Sequence, residues 1–352
     1  MPTLPELVKD PVFQLNVLLW LAQPLPQAYQ EIIPLFYGHG FDVYALAPLL
    51  TLRPDILLVM RDSGFEVQAR TRPDVILAQE STGKFAITEC KGSSFGVDSS
   101  TAQQARALLV LAGPRCHEVL GLQAQAVQQS VLSYLVPSPE RPAMEATISA
   151  LLDGFRARGL GAGESLFLGL MITDEGLGLD VDDATAQFFE LSPGINTFLR
   201  LDADTDPRPL YFVPFDPDTH QSEEEKVFGR RVLFERMHSS IIAAVGRARP
   251  PTVVTFKSTD LLNDATFGMY NLWDNRDSAR HMRRLCRWFM DSLRQAVHSH
   301  ELGAIAYEGG EGWKLDLPDV GRQGRVLETM LRFSCETMEL GEEPEPGLFD
   351  DL

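Results

Sequence analysis

Cysteine is scarce in this 352-residue chain, and its positions argue against several kinds of metal site. The four cysteines are far apart and form no C-x-x-C pair, which argues against a zinc ribbon or an iron–sulfur cluster. Isolated thiols are typical of a reducing compartment. The chain also lacks an apolar run of membrane-spanning length, and its first residues lack the basic and apolar regions of a signal peptide. We therefore predict a cytoplasmic protein that does not bind a membrane. The cysteines are Cys90, Cys116, Cys286 and Cys335.

The motifs of several large enzyme classes are missing as well. There is no glycine loop that could cradle a phosphate, no G-x-S-x-G sequence and no histidine pair at metal-binding spacing. Aspartates recur in the middle of the chain without the glycine and closing glutamate of an EF-hand loop. We interpret them as parts of solvated loops, so an enzyme that uses them ranks low. These aspartates are Asp182, Asp183, Asp202, Asp204 and Asp206.

Positive charge is in the minority, since 31 Lys and Arg residues accompany 49 Asp and Glu residues and the net charge is −18. Such a balance is unfavourable for a protein that binds a polyanion. The charge is unevenly distributed, however. Residues 138–226 carry a net charge of −12 and residues 336–352 one of −7, whereas residues 1–137 carry −3 and residues 227–335 carry +4. The acid is therefore concentrated away from the N-terminal part and from an arginine-rich segment.

The segment of residues 72–92, RPDVILAQESTGKFAITECKG, predicts two short strands joined by a tight turn. Val75–Leu77 and Phe85–Thr88 form the strands, and Gly83 lies in the turn between them. Side chains two residues apart on a strand point to the same face, so Glu89 and Lys91 share one. A hairpin around Gly83 also brings Asp74 close to Glu89. Two carboxylates and an amine are thus predicted to converge at one edge of a small sheet.

This group of side chains suits metal-assisted chemistry on a phosphate. Two carboxylates can hold Mg²⁺, or Mn²⁺ in its place, and the ion takes its remaining ligands from water and a substrate phosphate. The metal can polarise the phosphate and acidify a bound water. Lys91 can orient that water or neutralise developing charge. The alternative is an ordinary hairpin with a surface Glu and Lys at its end. A second E-x-K string, Glu224–Lys226, follows no apolar strand and is interpreted as a solvated helix start.

The pattern Pro73-Asp74 followed by Glu89-x-Lys91 at the end of an apolar strand resembles the PD-(D/E)xK nuclease superfamily, which has the restriction-endonuclease-like fold. The resemblance implies an α/β core, a mixed central sheet flanked by helices, over residues 1–140 or extending to about residue 175. It implies a Mg²⁺-dependent phosphodiesterase in which Asp74 and Glu89 bind the metal and Lys91 is the third catalytic group. A nuclease of this kind would serve genome (including antiviral) defence, mobile elements or repair.

Other polar residues are candidates through the same resemblance. Ser99, Ser100 and Thr101 can cap a helix over Ala102–Leu111. Some exonuclease-like branches carry a Gln-x-x-x-Tyr motif there, which gives Gln103 or Gln104 a possible catalytic role against the alternative of a solvated helix glutamine. The tyrosine is absent, because Ala107 and Leu108 stand four residues on, and the branch is therefore left open. Glu31 and Glu66 are accessory acids or, alternatively, solvated side chains.

The local pattern also predicts elements on either side of the hairpin. We expect a helix over about 27–36, strands at Ile56–Met60 and Phe65–Ala69, and a strand at Val131–Val136. An acidic, strand- and loop-rich connecting region is predicted for 141–226, and a helical accessory domain for 227–340.

The accessory domain contains one strongly patterned helix, Ser278–His298. Its apolar residues recur at helical spacing and its arginines lie on another face. We predict that Arg280, Arg284 and Arg287 contact a nucleic-acid backbone. A solvated helix face is an equal alternative.

The chain ends in an acidic tail, residues 341–352, that also contains Leu348, Phe349 and Leu352. Acidic residues with a few large apolar ones are suited to docking on a basic protein partner. The alternatives are an ordinary solvated terminus and an autoinhibitory segment.

These observations together predict a metal-dependent endonuclease or exonuclease that hydrolyses phosphodiester bonds in DNA, with RNA as an open alternative and with a requirement for a partner left open. The rival is a non-catalytic nucleic-acid- or protein-binding subunit that keeps the nuclease fold. The acidic charge balance favours the rival or a partner-dependent enzyme.

Overall fold

The structure is a computed structural model, and it describes residues 2–26, 29, 31–201, 205–214, 222–310 and 312–335. The chain divides into two compact units. The first comprises Met1–Tyr211 together with Leu272–Asp274, and the second comprises Phe212–Asn271 and Asn275–Leu352. None of the described helices combines the length and the apolarity that a membrane span needs. All four cysteines are buried, and none is in a disulfide.

The described part of the first unit contains seven α-helices and nine strands. The helices are α1 (Leu4–Leu7), α2 (Pro11–Leu21), α3 (Pro54–Asp62), α4 (Ser100–Leu111), α5 (Cys116–Val119), α6 (Arg141–Ala157) and α7 (Asp183–Phe189). The strands are β1 (Asp42–Leu46), β2 (Leu50–Thr51), β3 (Arg70–Thr71), β4 (Val75–Gln79), β5 (Lys84–Cys90), β6 (Gln129–Pro137), β7 (Glu164–Thr173), β8 (Gly176–Val181) and β9 (Gly194–Arg200).

Seven of these strands form one mixed sheet in the order β1-β4-β5-β6-β7-β8-β9. β5, β6 and β7 are parallel to one another, and the remaining neighbours are antiparallel. Parallel neighbours need a long crossover, and α4 and α6 lie in the two crossovers of this sheet. A mixed sheet with helices confirms the predicted α/β class.

The core of the first unit explains why these segments form strands and helices. β4 is buried along its whole length and β5 at every residue except Lys84, as expected for central strands that read as continuous apolar runs. One face of β4, β5 and β6 packs against the apolar sides of α4 and α6. α2 is buried at every residue after Pro11, as expected for a helix that is apolar on every side except at Gln14 and Asn16.

The described part of the second unit is a helical unit with a small sheet. Its helices are α8 (Glu223–Arg247), α9 (Ser258–Ala265), α10 (Met269–Leu272), α11 (Arg276–His298) and α12 (Val320–Arg332), and its strands are β10 (Thr252–Lys257), β11 (Ile305–Gly309) and β12 (Gly312–Leu317). The C-terminal region is therefore helical, as predicted. α11 agrees with the predicted helix to within two residues at its start.

Three predicted elements near the N-terminus are wrong. Residues 56–60 belong to α3 because Pro54, at the first turn, starts a helix there. Residues 65–69 are not a strand, and the strand begins only at Arg70. The described residues 31–36 do not form the expected helix, since Pro34 lacks an amide donor and disfavours a helix interior.

The predicted connecting region, residues 141–226, is also wrong as a separate segment. β7, β8 and β9 pair in succession onto β6 and extend the same sheet. The first unit therefore runs to Tyr211, well beyond both residue 140 and residue 175. The sequence pattern predicted strands in this region but not their pairing onto the N-terminal sheet, because that pairing depends on contacts between segments far apart in the chain. The acidic tail, residues 341–352, lies outside the described residues.

Candidate active site

The predicted hairpin between β4 and β5 is present. The two strands are antiparallel, with Val75 opposite Thr88, and this register continued by one residue sets Asp74 opposite Glu89. Gly83 lies in the turn with a φ of +68°, and a Cβ there would lie 2.8 Å from the carbonyl oxygen of Ala126. The turn therefore requires glycine both for its backbone conformation and for the close approach of a neighbouring segment.

Glu89 is a carboxylate inside an apolar layer. It continues the row of Phe85 and Ile87 toward the core under α4 and α6, and it is only 2% exposed. Its Oε2 lies 2.9 Å from Nζ of Lys91. Its Oε1 accepts a hydrogen bond of 3.0 Å from Nε2 of Gln104, which projects from α4. Both oxygens of this buried group therefore have a charged or polar partner, as burial of a carboxylate demands.

Asp74 lies just before β4, at the same edge of the hairpin. Its Oδ2 accepts a hydrogen bond of 2.6 Å from the backbone amide of Cys90. Its backbone carbonyl accepts a hydrogen bond of 2.9 Å from the amide of Ala47. The residue is thus fixed at both its backbone and its side chain, on the strand opposite Glu89.

Lys91 follows β5 directly and is held by its backbone. Its amide donates to the carbonyl of Leu135, and its carbonyl accepts from Nε2 of the buried Gln14 at 3.2 Å. The next residue, Gly92, approaches the carbonyl oxygen of Lys9 so closely that a Cβ would lie 2.3 Å from it. The lysine side chain is 25% exposed, so Lys91 is in contact both with the buried carboxylate of Glu89 and with solvent.

Burial and charge shift the proton affinities in this site. Burial raises the pKa of Glu89 to about 8; the Lys91 ammonium opposes the rise and the Asp74 carboxylate adds to it. Burial also raises the pKa of Asp74, against the effect of Lys91. Burial lowers the pKa of Lys91, but the two carboxylates outweigh it and the pKa is raised. Perturbed carboxylates of this kind concentrate at functional sites.

Tyr134 adds a polar group that the sequence pattern did not identify. It lies on β6 directly beside Glu89 and is 1% exposed. Its hydroxyl has no hydrogen-bond partner among the described residues. Burial, and then the Glu89 carboxylate, raise the pKa of the Tyr134 phenol well above its ordinary value. The only signal in the sequence was a tyrosine inside an apolar strand, and the parallel register that sets it beside Glu89 depends on tertiary structure.

The residues at this edge of the hairpin fit a magnesium ion in part. Mg²⁺ is bound in proteins through one or two carboxylates, with water and substrate oxygens completing the shell. Asp74 and Glu89 supply such a pair, and their raised pKa values are those of acids that a divalent cation would hold deprotonated. Among the described residues there is no group of three or more His, Cys, Asp or Glu side chains arranged around one metal position. The site therefore offers two protein ligands.

The other candidate residues lie elsewhere. Gln103 donates to Oε2 of Glu66 at 2.8 Å and not to the hairpin carboxylates. Of the neighbouring pair on α4, the structure thus brings only Gln104 to Glu89. Glu31 is exposed, and no hydrogen bond or ion pair links Glu31 or Glu66 to the hairpin carboxylates within the described residues. Arg280, Arg284 and Arg287 belong to the second unit.

Comparison with known proteins adds no relative: no family model matches the chain, and no curated protein and no solved structure is significantly similar to it.

Proposed function

We propose that this chain is a Mg²⁺-dependent nuclease that hydrolyses phosphodiester bonds in DNA at the edge of the β4–β5 hairpin. The observation that carries the proposal is the convergence of Asp74, Glu89 and Lys91 there, two carboxylates on opposite strands with an amine paired to one of them. Either Mg²⁺ or Mn²⁺ suits an all-oxygen ligand pair.

Each side chain has a separate task in this proposal. Asp74 and Glu89 would hold the metal, which when bound supplies a Lewis acid for the phosphate and a more acidic water. Lys91 stands within ion-pair distance of Glu89 and reaches solvent, so it can orient the attacking water and neutralise charge on the phosphate. Gln104 keeps the Glu89 carboxylate in one orientation.

The test is a cleavage assay of the purified full-length chain on supercoiled and linear DNA with Mg²⁺ or Mn²⁺. Opening of the supercoil indicates an endonuclease, and loss of ends alone indicates an exonuclease. We expect Lys91→Ala to reduce the rate by about a hundredfold to a thousandfold, as is usual for loss of a group that stabilises charge developing in the transition state. Asp74→Ala should have a similar effect and also weaken Mg²⁺ binding measured by calorimetry.

Lys84→Ala is the matched control, since Lys84 begins β5, the strand that Lys91 follows, and pairs with Glu190 at 2.8 Å. This variant should cut at close to the wild-type rate. Thermal unfolding of all three variants checks that the fold is intact. Cleavage that persists in EDTA, or wild-type rates for both Lys91→Ala and Asp74→Ala, would contradict the proposal.

A second candidate function is a non-catalytic nucleic-acid- or protein-binding subunit with the same fold. Two observations favour it: Lys91 already occupies one oxygen of Glu89, and the chain has a net charge of −18. A chain that binds DNA but cuts no substrate in Mg²⁺ or Mn²⁺ would support this candidate over the nuclease.

A further inference from the structure

The second unit combines helices and strands in a distinctive order. Along the chain come α8, β10, α9, the short α10, α11 and then β11 and β12, and the three strands form an antiparallel sheet in the order β10-β12-β11. α9 ends in a turn at Phe267 and Gly268, both with positive φ. Apart from the four-residue α10, the order is a helix, a strand, two helices and a hairpin that pairs back on the first strand, which is the arrangement of a winged helix–turn–helix domain. In such domains the helix before the hairpin enters the major groove of DNA.

The helix in that position, α11, has two chemically opposite sides. Its apolar residues, among them Met282, Leu285 and Phe289, are buried in the core of the second unit. All six of its arginines fall within about 100° of the helical wheel, on the other side. We call these six residues the arginine stripe: Arg276, Arg280, Arg283, Arg284, Arg287 and Arg294. Asp291 is the one acidic residue within the same arc.

Parts of the arginine stripe can change partner at little cost. The side chain of Arg280 is 44% exposed and pairs at 3.3 Å with Asp277, which is itself 85% exposed. Exposed pairs of this kind contribute little to stability, so a phosphate can replace the carboxylate. Arg276 and Arg294 form no ion pair with any carboxylate in the described part of the chain. The β11–β12 hairpin adds little positive charge, since Lys314 is paired with Glu308.

We propose that the second unit is a winged helix–turn–helix module that binds duplex DNA by inserting α11 into the major groove, with Arg276, Arg280 and Arg294 of the arginine stripe against the phosphates. The proposal rests on the proposed function, because it names duplex DNA as the substrate class. The major groove of B-form DNA is wide enough for an α-helix, whereas that of duplex RNA is too narrow for side chains to read. The module therefore selects DNA over RNA and duplex over single strands.

The experiment measures binding without cleavage. Fluorescence anisotropy of the full-length chain in EDTA compares a DNA duplex, a single strand of equal length and an RNA duplex over a range of salt. The variant carries Arg276→Gln, Arg280→Gln and Arg294→Gln. The control removes the same charge elsewhere on the second unit, through Arg247→Gln, Arg325→Gln and Arg332→Gln on α8 and α12.

We expect the wild type to bind the DNA duplex at least tenfold more tightly than either other nucleic acid. In the variant, three lost phosphate contacts should reduce the slope of log K against log salt by about 2.7 and weaken binding at low salt by roughly tenfold or more. The control should stay within about threefold of the wild type. Equal binding to single strands or duplex RNA, an equal loss in the control, or an unchanged slope would overturn the proposal. Because no metal is present, a chain that cuts nothing can still satisfy this test, and a chain that cuts can still fail it.

Discussion

At the scale of single residues, the most informative group is Glu89, a carboxylate inside an apolar layer with one partner on each oxygen. Its partners differ in kind. Lys91 brings charge and reaches solvent, whereas Gln104 is a neutral donor fixed on α4. A neutral donor can orient a carboxylate without neutralising the negative charge that binds a metal. Gln104 is therefore a positioning residue in our proposal.

Gln104→Ala should therefore reduce cleavage and Mg²⁺ affinity by about tenfold to a hundredfold, the usual effect of losing a side chain that orients a metal ligand. Gln103→Ala is its control, since Gln103 precedes it on the same helix but bonds to Glu66. That control should stay within about threefold of the wild type. The measurements are cleavage kinetics and calorimetric titration with Mg²⁺. Equal effects of the two substitutions would show that the contact with Glu89 has no such part.

His238 of α8 predicts a pH dependence of stability. Burial lowers the pKa of its imidazole, against the effect of a hydrogen bond with the backbone of Met330, and its ring packs edge-on against Phe289 and Phe333. At pH values below the ordinary histidine pKa of about 6.5, His238 binds a proton more readily in the unfolded chain than in the folded chain. The free energy of unfolding should therefore fall as the pH decreases from about 6.5.

His238→Leu should remove this contribution and give a flatter dependence between pH 7 and pH 5, measured by denaturant unfolding at each pH. Substitution of the exposed His300 by glutamine provides the control and should leave the wild-type dependence. A His238→Leu curve parallel to that of the wild type would contradict the argument.

The sequence identifies some of these residues and not others, for a physical reason. Glu89 and Lys91 follow from the two-residue period of a strand, which is local. The choice between Gln103 and Gln104 depends on how α4 is rotated against the sheet, and the place of Tyr134 depends on the parallel register of β6. Both are set by packing between segments far apart in the chain, so the sequence pattern alone could not give them.

At the scale of elements, the end of β5 is fixed by its contacts with Lys9, just before α2, and with Gln14 in α2. Gly92 accepts no side chain without displacing the carbonyl of Lys9, and Gln14 bonds to the carbonyl of Lys91. The position of the catalytic lysine in our proposal thus depends on the N-terminal segment as well as on its own strand.

We expect Gly92→Ala to lower the free energy of unfolding by about 1–3 kcal/mol, the range for overpacking, and to reduce cleavage through displacement of Lys91. Gly96→Ala, four residues on, is the control because a Cβ there meets nothing within 4 Å. Urea unfolding and cleavage assays measure the two effects. Wild-type stability and activity in Gly92→Ala would show that the backbone at Lys9 moves aside without cost and would contradict the prediction.

The long, strongly periodic elements were predictable, and the short ones were not. α11 carries an apolar stripe that fixes it locally, and the turn at Gly83 fixes the hairpin. α3 was mistaken for a strand because a short apolar run has no clear period, and the helix-starting position of Pro54 decided the outcome. β8 and β9 gain their stability from pairing along a sheet edge, which a local pattern does not reveal.

At the scale of the whole molecule, charge is separated along the chain. Arginine is concentrated in the second unit and acid in residues 138–226 and 336–352. Charge of both signs on separate segments suits a protein that holds a polyanion at one surface and a basic protein at another.

The acidic tail gives the corresponding prediction. We expect deletion of residues 341–352 to abolish binding of a basic protein partner that co-purifies with the full-length chain, because the tail supplies both steering charge and apolar anchors. The triple variant Leu348→Ala, Phe349→Ala and Leu352→Ala keeps the charge and should lose the same partner. Quantitative affinity purification measures both. A gain in DNA affinity on deletion would indicate autoinhibition instead, and no change in partner, affinity or activity would show that the tail has no such part.

The parallel pairing of β5 with β6 has a consequence for how the protein is made. The hairpin that carries Asp74, Glu89 and Lys91 is complete once residue 92 has been synthesised, yet the strand beside Glu89 begins only at Gln129. While a ribosome adds these residues, at about 5–20 each second, β5 has an open edge and Glu89 lacks its buried surroundings. A nascent chain that ends before β6 thus cannot have the site described above, and chains released before Pro137 should show no activity.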